Sequence, residues 1–163
     1  MQSRPRRARS APEKLEFAWE PFHRVIEEAL PLLKRHYEEL GLDEPFDPDW
    51  RSLMFMERNG RLVIATMRVD GRLVGYCGGL LINYLASQSY RVVMVNALYI
   101  EDTYRGPLGH VREFLAMMTA FAHEHKASGL EMGPQGRHRR GIGRLLVKLG
   151  WKLSPEPSWR ISV

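Results

Sequence analysis

One segment of the chain joins an apolar, β-branched run directly to a helical pattern through a turn of a few residues. The run covers residues 92–100, and the turn contains Arg105, Gly106 and Gly109. A helix that begins in this way leaves unpaired backbone N–H groups and the positive end of its dipole facing the turn. Because glycines let a ligand approach the backbone closely, this arrangement predicts a seat for the pyrophosphate of a cofactor.

The positive charge of the chain is concentrated near its N-terminus. The 163 residues carry a formal net charge of +5, and no acid occurs among the first ten residues, which contain Arg4, Arg6, Arg7 and Arg9. Such an arm binds a polyanion or stays solvated, and both interpretations remain open. It has no aromatic residue for base stacking, so a nucleic acid would be held through its phosphates, and an acidic protein is the other candidate partner. We expect residues 1–19 to form this arm and its lead-in, and residues 20–163 to form one domain.

Apolar periodicity and turn residues divide the rest of the chain into helices and strands. We predict a helix from Pro21 to Leu40, bent at Pro31, and a second helix that begins at Asp47-Pro48-Asp49 and ends at Arg58. Strands are expected over 61–69, 72–84 and 90–100, with a two-residue hairpin at Asp70-Gly71. A helix over 107–126, a strand near 130–132, a helix over 141–149 and a strand over 158–163 complete the chain. The order ααβββαβαβ predicts a layered α/β (α+β) domain.

Other residue groups offer weaker indications of chemistry. A second glycine cluster, from Arg140 to Gly143, also precedes a helical pattern and is the alternative phosphate site. Neither cluster has the GK[ST] ending of a P-loop or the third glycine and downstream acid of a dinucleotide fingerprint. The six histidines form no metal-ligand spacing, so no metal site is predicted. Glu101 and Asp102 end the long strand beside the first turn and are a candidate acid/base pair.

A series of short segments carries a resemblance that extends over about residues 20–163. In chain order these segments are a helix followed by DPDW, then DGRLVGYCGG, a valine-rich strand, LYIEDTYRGPLG and LLVKLGW. Their order and spacing resemble the GNAT superfamily of N-acetyltransferases, and most of all its small phage-encoded members. The resemblance implies a mixed, mostly antiparallel central sheet flanked by helices. It also implies acetyl-CoA as co-substrate, bound where the fourth strand of the family splays from its neighbour.

The resemblance assigns cofactor contacts residue by residue. The turn would surround the pyrophosphate and contact it chiefly through backbone N–H groups. The residues at these positions are Arg105, Gly106, Leu108, Gly109 and His110. The end of the preceding strand would pair with the pantetheine amides as an added strand does, through Leu98, Tyr99 and Ile100. The family turn usually reads Arg-Gly-x-Gly-x-Gly/Ala, and here Pro107 and Leu108 place the second glycine one position late.

The catalytic pattern of the family is incomplete in this chain. Leu146 stands where many members have a tyrosine that protonates the leaving thiolate, and residues 95–97, where a catalytic carboxylate is common, contain no acid. We therefore name Glu101 and Asn96 as catalytic candidates, and we expect the acceptor amine to enter near them and near Tyr84. Proximity alone supplies a large rate factor, so these departures do not exclude group transfer.

Two functions follow from the resemblance and its departures. The first is transfer of an acetyl group from acetyl-CoA to a primary amine of a small molecule or a protein, in the cytoplasm. The second is a binding or structural protein with the GNAT fold, associated with a virion or another large assembly, whose arm contacts nucleic acid or an acidic partner. No apolar stretch approaches the ~20 residues of a membrane span, so a membrane location is not expected.

Overall fold

The computed structural model describes residues 13–84, 87, 89–106, 108–133, 139–153 and 159–162, and the arginine arm lies outside these ranges. Its strands and helices, in chain order, are β1 (Leu15–Trp19), α1 (Phe22–Leu40), α2 (Trp50–Arg58), β2 (Leu62–Val69), β3 (Arg72–Asn83), β4 (Arg91–Ile100), a 3-10 turn (Asp102–Tyr104), α3 (Leu108–Glu124), β5 (Gly129–Met132), α4 (Arg139–Lys148), β6 (Lys152–Leu153) and β7 (Trp159–Ser162). The predicted succession is present, with one strand added before α1 and another after α4.

The strands form one sheet in the order β1-β2-β3-β4-β5-β7-β6. Neighbouring strands of the described sheet are antiparallel except β4 and β5, which are parallel and are joined through α3. A crossover of this kind is what a parallel pair requires. The predicted mixed, mostly antiparallel sheet flanked by helices is therefore confirmed. The expected parallel pairing of the strand that ends at Ile100 with the strand that contains Leu130 is also found.

The lead-in before residue 20 contributes an edge strand that the sequence analysis did not predict. β1 pairs with β2 from Leu15 opposite Val69 to Trp19 opposite Ala65. Phe17 packs edge-on against Phe114 of α3, with 5.1 Å between the ring centroids. A five-residue strand is too short for its periodicity to identify it, and its pairing with a distant strand decides its structure.

The sheet separates two clusters of buried side chains. On one face, α3 contributes Phe114, Leu115 and Met118 to the larger cluster. On the other face, α1 packs on the smaller cluster, which contains Leu32 of α1 and Tyr99 of β4. Leu108, which was expected on the buried face of α3, is 52% exposed because it lies at the first residue of the helix, beyond the edge of the packed face.

Local turn and cap signals determine several boundaries. Asp70 and Gly71 form the predicted hairpin, with φ values of 49° and 82°, and two consecutive positive φ values define a type I′ turn. Gly41 ends α1 in the left-handed conformation. The N-cap of α2 is Asp49, whose side chain accepts a hydrogen bond from the Ser52 N–H at 3.0 Å. The helix therefore begins at Trp50, after the predicted Asp47-Pro48-Asp49 start, and Pro48 lies before the cap instead of inside the first turn.

Candidate cofactor and acceptor site

Beyond the middle of β4, one edge of the strand has no neighbouring strand among the described residues. The pairing of β4 with β5 ends at Val95 opposite Met132, whereas β4 continues to Ile100. On its other edge β4 remains paired with β3, and the Glu101 N–H donates to the Val74 carbonyl at 2.8 Å. Antiparallel hydrogen-bonded pairs occur at every second residue, so the backbone of Tyr99 also faces β3, while that of Leu98 and Ile100 faces the open edge.

This alternation changes the expected cofactor contacts of the strand. The backbone of Leu98 and Ile100 faces the edge where the resemblance expects the pantetheine to pair, although the Ile100 carbonyl already accepts a hydrogen bond from Arg105 Nε. The backbone of Tyr99 does not, because it belongs to the β3 ladder, and its ring lies on the α1 face, where it stacks on Tyr76 at 5.9 Å. Tyr99 is therefore a packing residue of the smaller cluster.

The turn between β4 and α3 is open to solvent above its glycines. A Cβ atom built on Gly106 or Gly109 would meet no heavy atom within 4 Å. Leu108, Gly109 and His110 form the start of α3, where backbone N–H groups have no partner within the helix. No acidic residue lies in this first turn. An anion can therefore approach the helix N-terminus without a side chain in the way.

The Arg105 side chain has a different role from the expected phosphate contact. Its Nη2 donates to both carboxylate oxygens of Glu39 on α1, at 2.8 and 2.7 Å. Its Nη1 lies 2.6 Å from Asp102, and its Nε donates to the Ile100 carbonyl. The guanidinium also lies over the Tyr99 ring, 5.0 Å from the centroid. These contacts balance its charge, and the contact with Glu39 joins the turn to α1, so we call the Arg105–Glu39 pair the turn clamp.

The His110 side chain fixes the other end of the turn. Its Nδ1 lies 2.9 Å from the Tyr104 carbonyl, and since a carbonyl only accepts hydrogen bonds, Nδ1 carries the proton. The ring also contacts Phe17 of β1. The His110 side chain therefore holds the preceding 3-10 turn, and the backbone N–H of His110 lies in the first turn of α3.

Glu101 lies apart from the other expected acceptor-site residues. Its carboxylate accepts hydrogen bonds from Arg72 at 2.8 Å and from Arg35 at 3.3 Å, and the side chain is 13% exposed. Tyr84 follows Asn83, which pairs with Arg91 at the start of β4, whereas Glu101 follows the end of β4. At ~3.4 Å per residue, these two ends are roughly 30 Å apart. The expected grouping of Tyr84, Asn96 and Glu101 is therefore wrong, because the sheet register places Tyr84 and Glu101 at opposite ends of β4.

Asn96 is the extra residue of a β-bulge. Gly78 pairs with Ala97 and the next residue, Gly79, pairs with Val95, so Asn96 has no opposite partner on β3. The Asn96 Oδ1 lies above Gly78, 3.3 Å from the position that a Cβ atom would take. Asn96 and Ala97 line the same cavity under α1 and α2. The bulge thus turns two consecutive side chains to one face, at the level where the β4–β5 pairing ends.

Glu131 is a buried acid that the sequence analysis did not single out. It is 3% exposed, and it lies on β5 level with Met94, two residues before Asn96 along the parallel strand. Its neighbours Leu130 and Met132 belong to the cluster under α3, so by strand alternation Glu131 faces the α1 side. The Tyr84 hydroxyl lies 3.5 Å from each carboxylate oxygen. An acid at the centre of a four-residue apolar strand was the available signal.

Leu146 is fully buried in the larger cluster. The position that the resemblance associates with a tyrosine hydroxyl therefore presents only methyl groups to its surroundings. The second glycine cluster, Arg140 to Gly143, lies within the first turns of α4. The cluster is thus part of the helix that it was expected to precede.

Solved structures of acetyltransferases have the same fold. A protein described as a predicted acetyltransferase from Clostridium acetobutylicum, crystallised with acetyl-CoA, is 17% identical and superposes with a TM-score of 0.73, over 88% of this chain and 93% of that chain. A GCN5-related N-acetyltransferase from Ralstonia eutropha JMP134 has 17% identity and a TM-score of 0.69, over 88% and 95% of the two chains. A ribosomal-protein-alanine N-acetyltransferase from Brucella melitensis biovar Abortus 2308 has 22% identity and a TM-score of 0.62, over 83% and 90%.

The sequence matches no protein-family model, and no curated protein matches it. At the identities found, the structural likeness establishes the fold. The chain has a three-layer α/β architecture in which an open strand edge lies beside a helix N-terminus. That fold is the one of the GCN5-related N-acetyltransferases. None of the described helices combines the length and apolarity that a bilayer span needs.

Proposed function

We propose that the protein is an N-acetyltransferase that uses acetyl-CoA to acetylate a primary amine. The observation that carries the proposal is the continuity of the open β4 edge with the N-terminus of α3. An extended chain that pairs with Leu98 and Ile100 would lead directly to the unpaired N–H groups of Leu108, Gly109 and His110. Pantetheine amides and a pyrophosphate occur in that order in CoA and its thioesters.

The acetyl group would then lie near the point where β4 and β5 separate, beside Asn96 and one residue beyond Glu131. In the transfer, the amine nitrogen attacks the thioester carbonyl carbon and the C–S bond breaks. Glu131 is proposed to take the proton that the amine loses, because the strand register places this buried acid opposite Met94, one residue before the end of the β4–β5 pairing. Since Leu146 provides no hydroxyl, the thiolate would receive its proton from water. Orientation of the two reactants supplies most of the acceleration in this scheme.

The test of cofactor binding is calorimetry with CoA and acetyl-CoA on the full chain. A Gly109→Val variant should bind at least about tenfold more weakly, because its side chain would occupy the open space above the turn. Ala116→Val, at an exposed position of the same helix, is the matched control and should bind normally. Absence of binding to the unmodified protein at millimolar cofactor would remove the proposal.

A second candidate is a protein that keeps the fold as a binding module of a virion or another assembly. The observation in its favour is the burial of Leu146, since an apolar side chain there leaves the leaving group without a protein acid. The arm arginines, Arg4, Arg6, Arg7 and Arg9, would then contact nucleic acid or an acidic partner. A protein that binds CoA but shows no transfer to any amine, together with salt-sensitive binding through the arm, would favour this candidate.

A further inference from the structure

An apolar cavity of about 110 Å³ lies beneath α1 and α2, next to the bulge in β4. Its wall includes Val25 and Leu33 of α1 and Leu53 of α2, and its floor includes Ile64 and Ala97 of the sheet. Asn96 lies at its border. The cavity is thus on the sheet face that Glu131 also faces.

Several residues that line the cavity are accessible to solvent, and one of them lies in the bulge. Asn96 is exposed, and Leu33, Leu53, Ile64 and Ala97 are half-buried although they line an apolar space. A sealed packing defect would be lined by fully buried side chains. A small molecule can therefore reach the floor of the cavity past Asn96.

The polar groups deeper in the wall already have partners within the protein. The Thr66 hydroxyl donates to the Ala18 carbonyl at 3.3 Å, and the Tyr76 hydroxyl lies 2.7 Å from Nδ1 of His36. Because these hydroxyls are engaged, a ligand inside the cavity would meet mainly apolar side chains. The Asn96 amide is the exposed polar group of the lining. A hydroxyl or an ammonium group placed inside would lose most of its hydration and find few polar partners in exchange.

We infer that this cavity is a specificity pocket for the acceptor, and that the acceptor is a primary amine carrying a compact, branched or cyclic apolar group. The inference rests on the proposed function and names its substrate class. An engineered cavity of about 150 Å³ in another protein takes up benzene, so the space here suits a group of about four or five carbon atoms. With that group in the cavity, the amine lies at the mouth, between the Asn96 amide and the side where Glu131 is buried. A buried carboxylate attracts an ammonium group and can accept its proton when transfer begins.

The direct test compares amines of equal length on the full chain. 3-Methylbutylamine should bind at least about tenfold more tightly than 3-aminopropanol or 1,3-diaminopropane, measured by calorimetry without cofactor and again with saturating CoA. Acetylation of the same amines, followed through release of the CoA thiol, should show the preference in KM. Equal affinity for the three amines, or a preference for the diamine, would overturn the inference.

Two variants connect the preference to the cavity. Ala97→Leu fills the floor and should abolish the preference for the apolar amine while CoA affinity is unchanged. Leu53→Ala enlarges the wall and should move the preference toward amines with a longer apolar group. Ala116→Leu, on the exposed side of α3, is the control with the same added volume, and thermal melts verify that each variant is folded. An unchanged preference in folded Ala97→Leu and Leu53→Ala proteins would also overturn the inference.

The failure of this inference is distinct from that of the proposed function. If CoA binds and transfer occurs without preference for apolar amines, the pocket assignment is wrong and the acetyltransferase stands. If CoA does not bind but the amine preference is present and is lost in Ala97→Leu, the transferase role is wrong and the pocket remains a site for an apolar amine.

Discussion

Disruption of the turn clamp tests whether the anion seat depends on α1. In the structure, the Arg105 guanidinium forms a two-point contact with Glu39 and a single contact with Asp102. If the clamp orders the turn, Glu39→Gln weakens CoA binding although Glu39 lies on a helix that does not form the seat. If the guanidinium instead contacts a phosphate, Glu39→Gln frees it and CoA binds more tightly. The sign of the change therefore distinguishes the two roles of Arg105.

The expected magnitude follows from exposure and geometry. The Arg105 and Glu39 side chains are 31% and 28% exposed, whereas Asp102 is 82% exposed. Exposed ion pairs contribute about 0.2–1 kcal/mol, and a bidentate arginine–carboxylate contact is stronger than a single one. We therefore expect a coupling free energy of about 1 kcal/mol between Arg105 and Glu39. The loss of order in the turn should weaken CoA binding by about two- to tenfold, which corresponds to roughly 0.4–1.4 kcal/mol.

The assay is a double-mutant cycle with Glu39→Gln, Arg105→Ala and the double variant. Urea unfolding gives the coupling free energy, and calorimetry gives the CoA affinity of each variant. Asp102→Asn is the matched control, and it should change both quantities little because its carboxylate is largely solvated. The clamp is refuted if the coupling free energy is near zero, or if Glu39→Gln raises the affinity for CoA.

Three further predictions concern other parts of the molecule. Glu131→Gln should lower the acetylation rate by about 10²–10⁴-fold and leave CoA affinity unchanged, as measured by thiol release and calorimetry; an unchanged rate would show that Glu131 is not the base. Hydrogen bonds from Arg68 lower the pKa of Glu20 from its ordinary value of 4.5, so the pair stabilises the fold above that pH and the stabilisation is lost as the pH falls through the lowered pKa. Urea unfolding of the native protein and of Glu20→Gln should accordingly differ at pH 7, by about 1 kcal/mol, and converge in acid, whereas a constant difference would contradict this linkage. Deletion of residues 1–10 should abolish any salt-sensitive DNA binding, for which four phosphate contacts imply a log–log slope of roughly −3.6, and a truncated protein that binds DNA equally well would show that the arm is solvated.

Elements specified by neighbouring residues were predictable from the sequence. The Asp70-Gly71 hairpin, the end of α1 at Gly41 and the passage from β4 into α3 all depend on backbone preferences within a few residues. The open turn before α3 was predicted for the same reason, because its glycines and the helix start are contiguous. β1 was not predicted, since its strand conformation is stabilised by β2, about 50 residues further along the chain.

The chemistry of the site depended on contacts between distant segments. The register of β3 and β4 separates Tyr84 from Glu101, and a single extra residue in β4 turns Asn96 toward the cavity. The parallel pairing of β5 places Glu131 beside that bulge. The α1 helix supplies Glu39, whose carboxylate binds the Arg105 guanidinium. Sequence spacing predicts which residues share a face of one element. Strand order, register and helix packing decide which elements meet, because those contacts are between residues far apart in the chain.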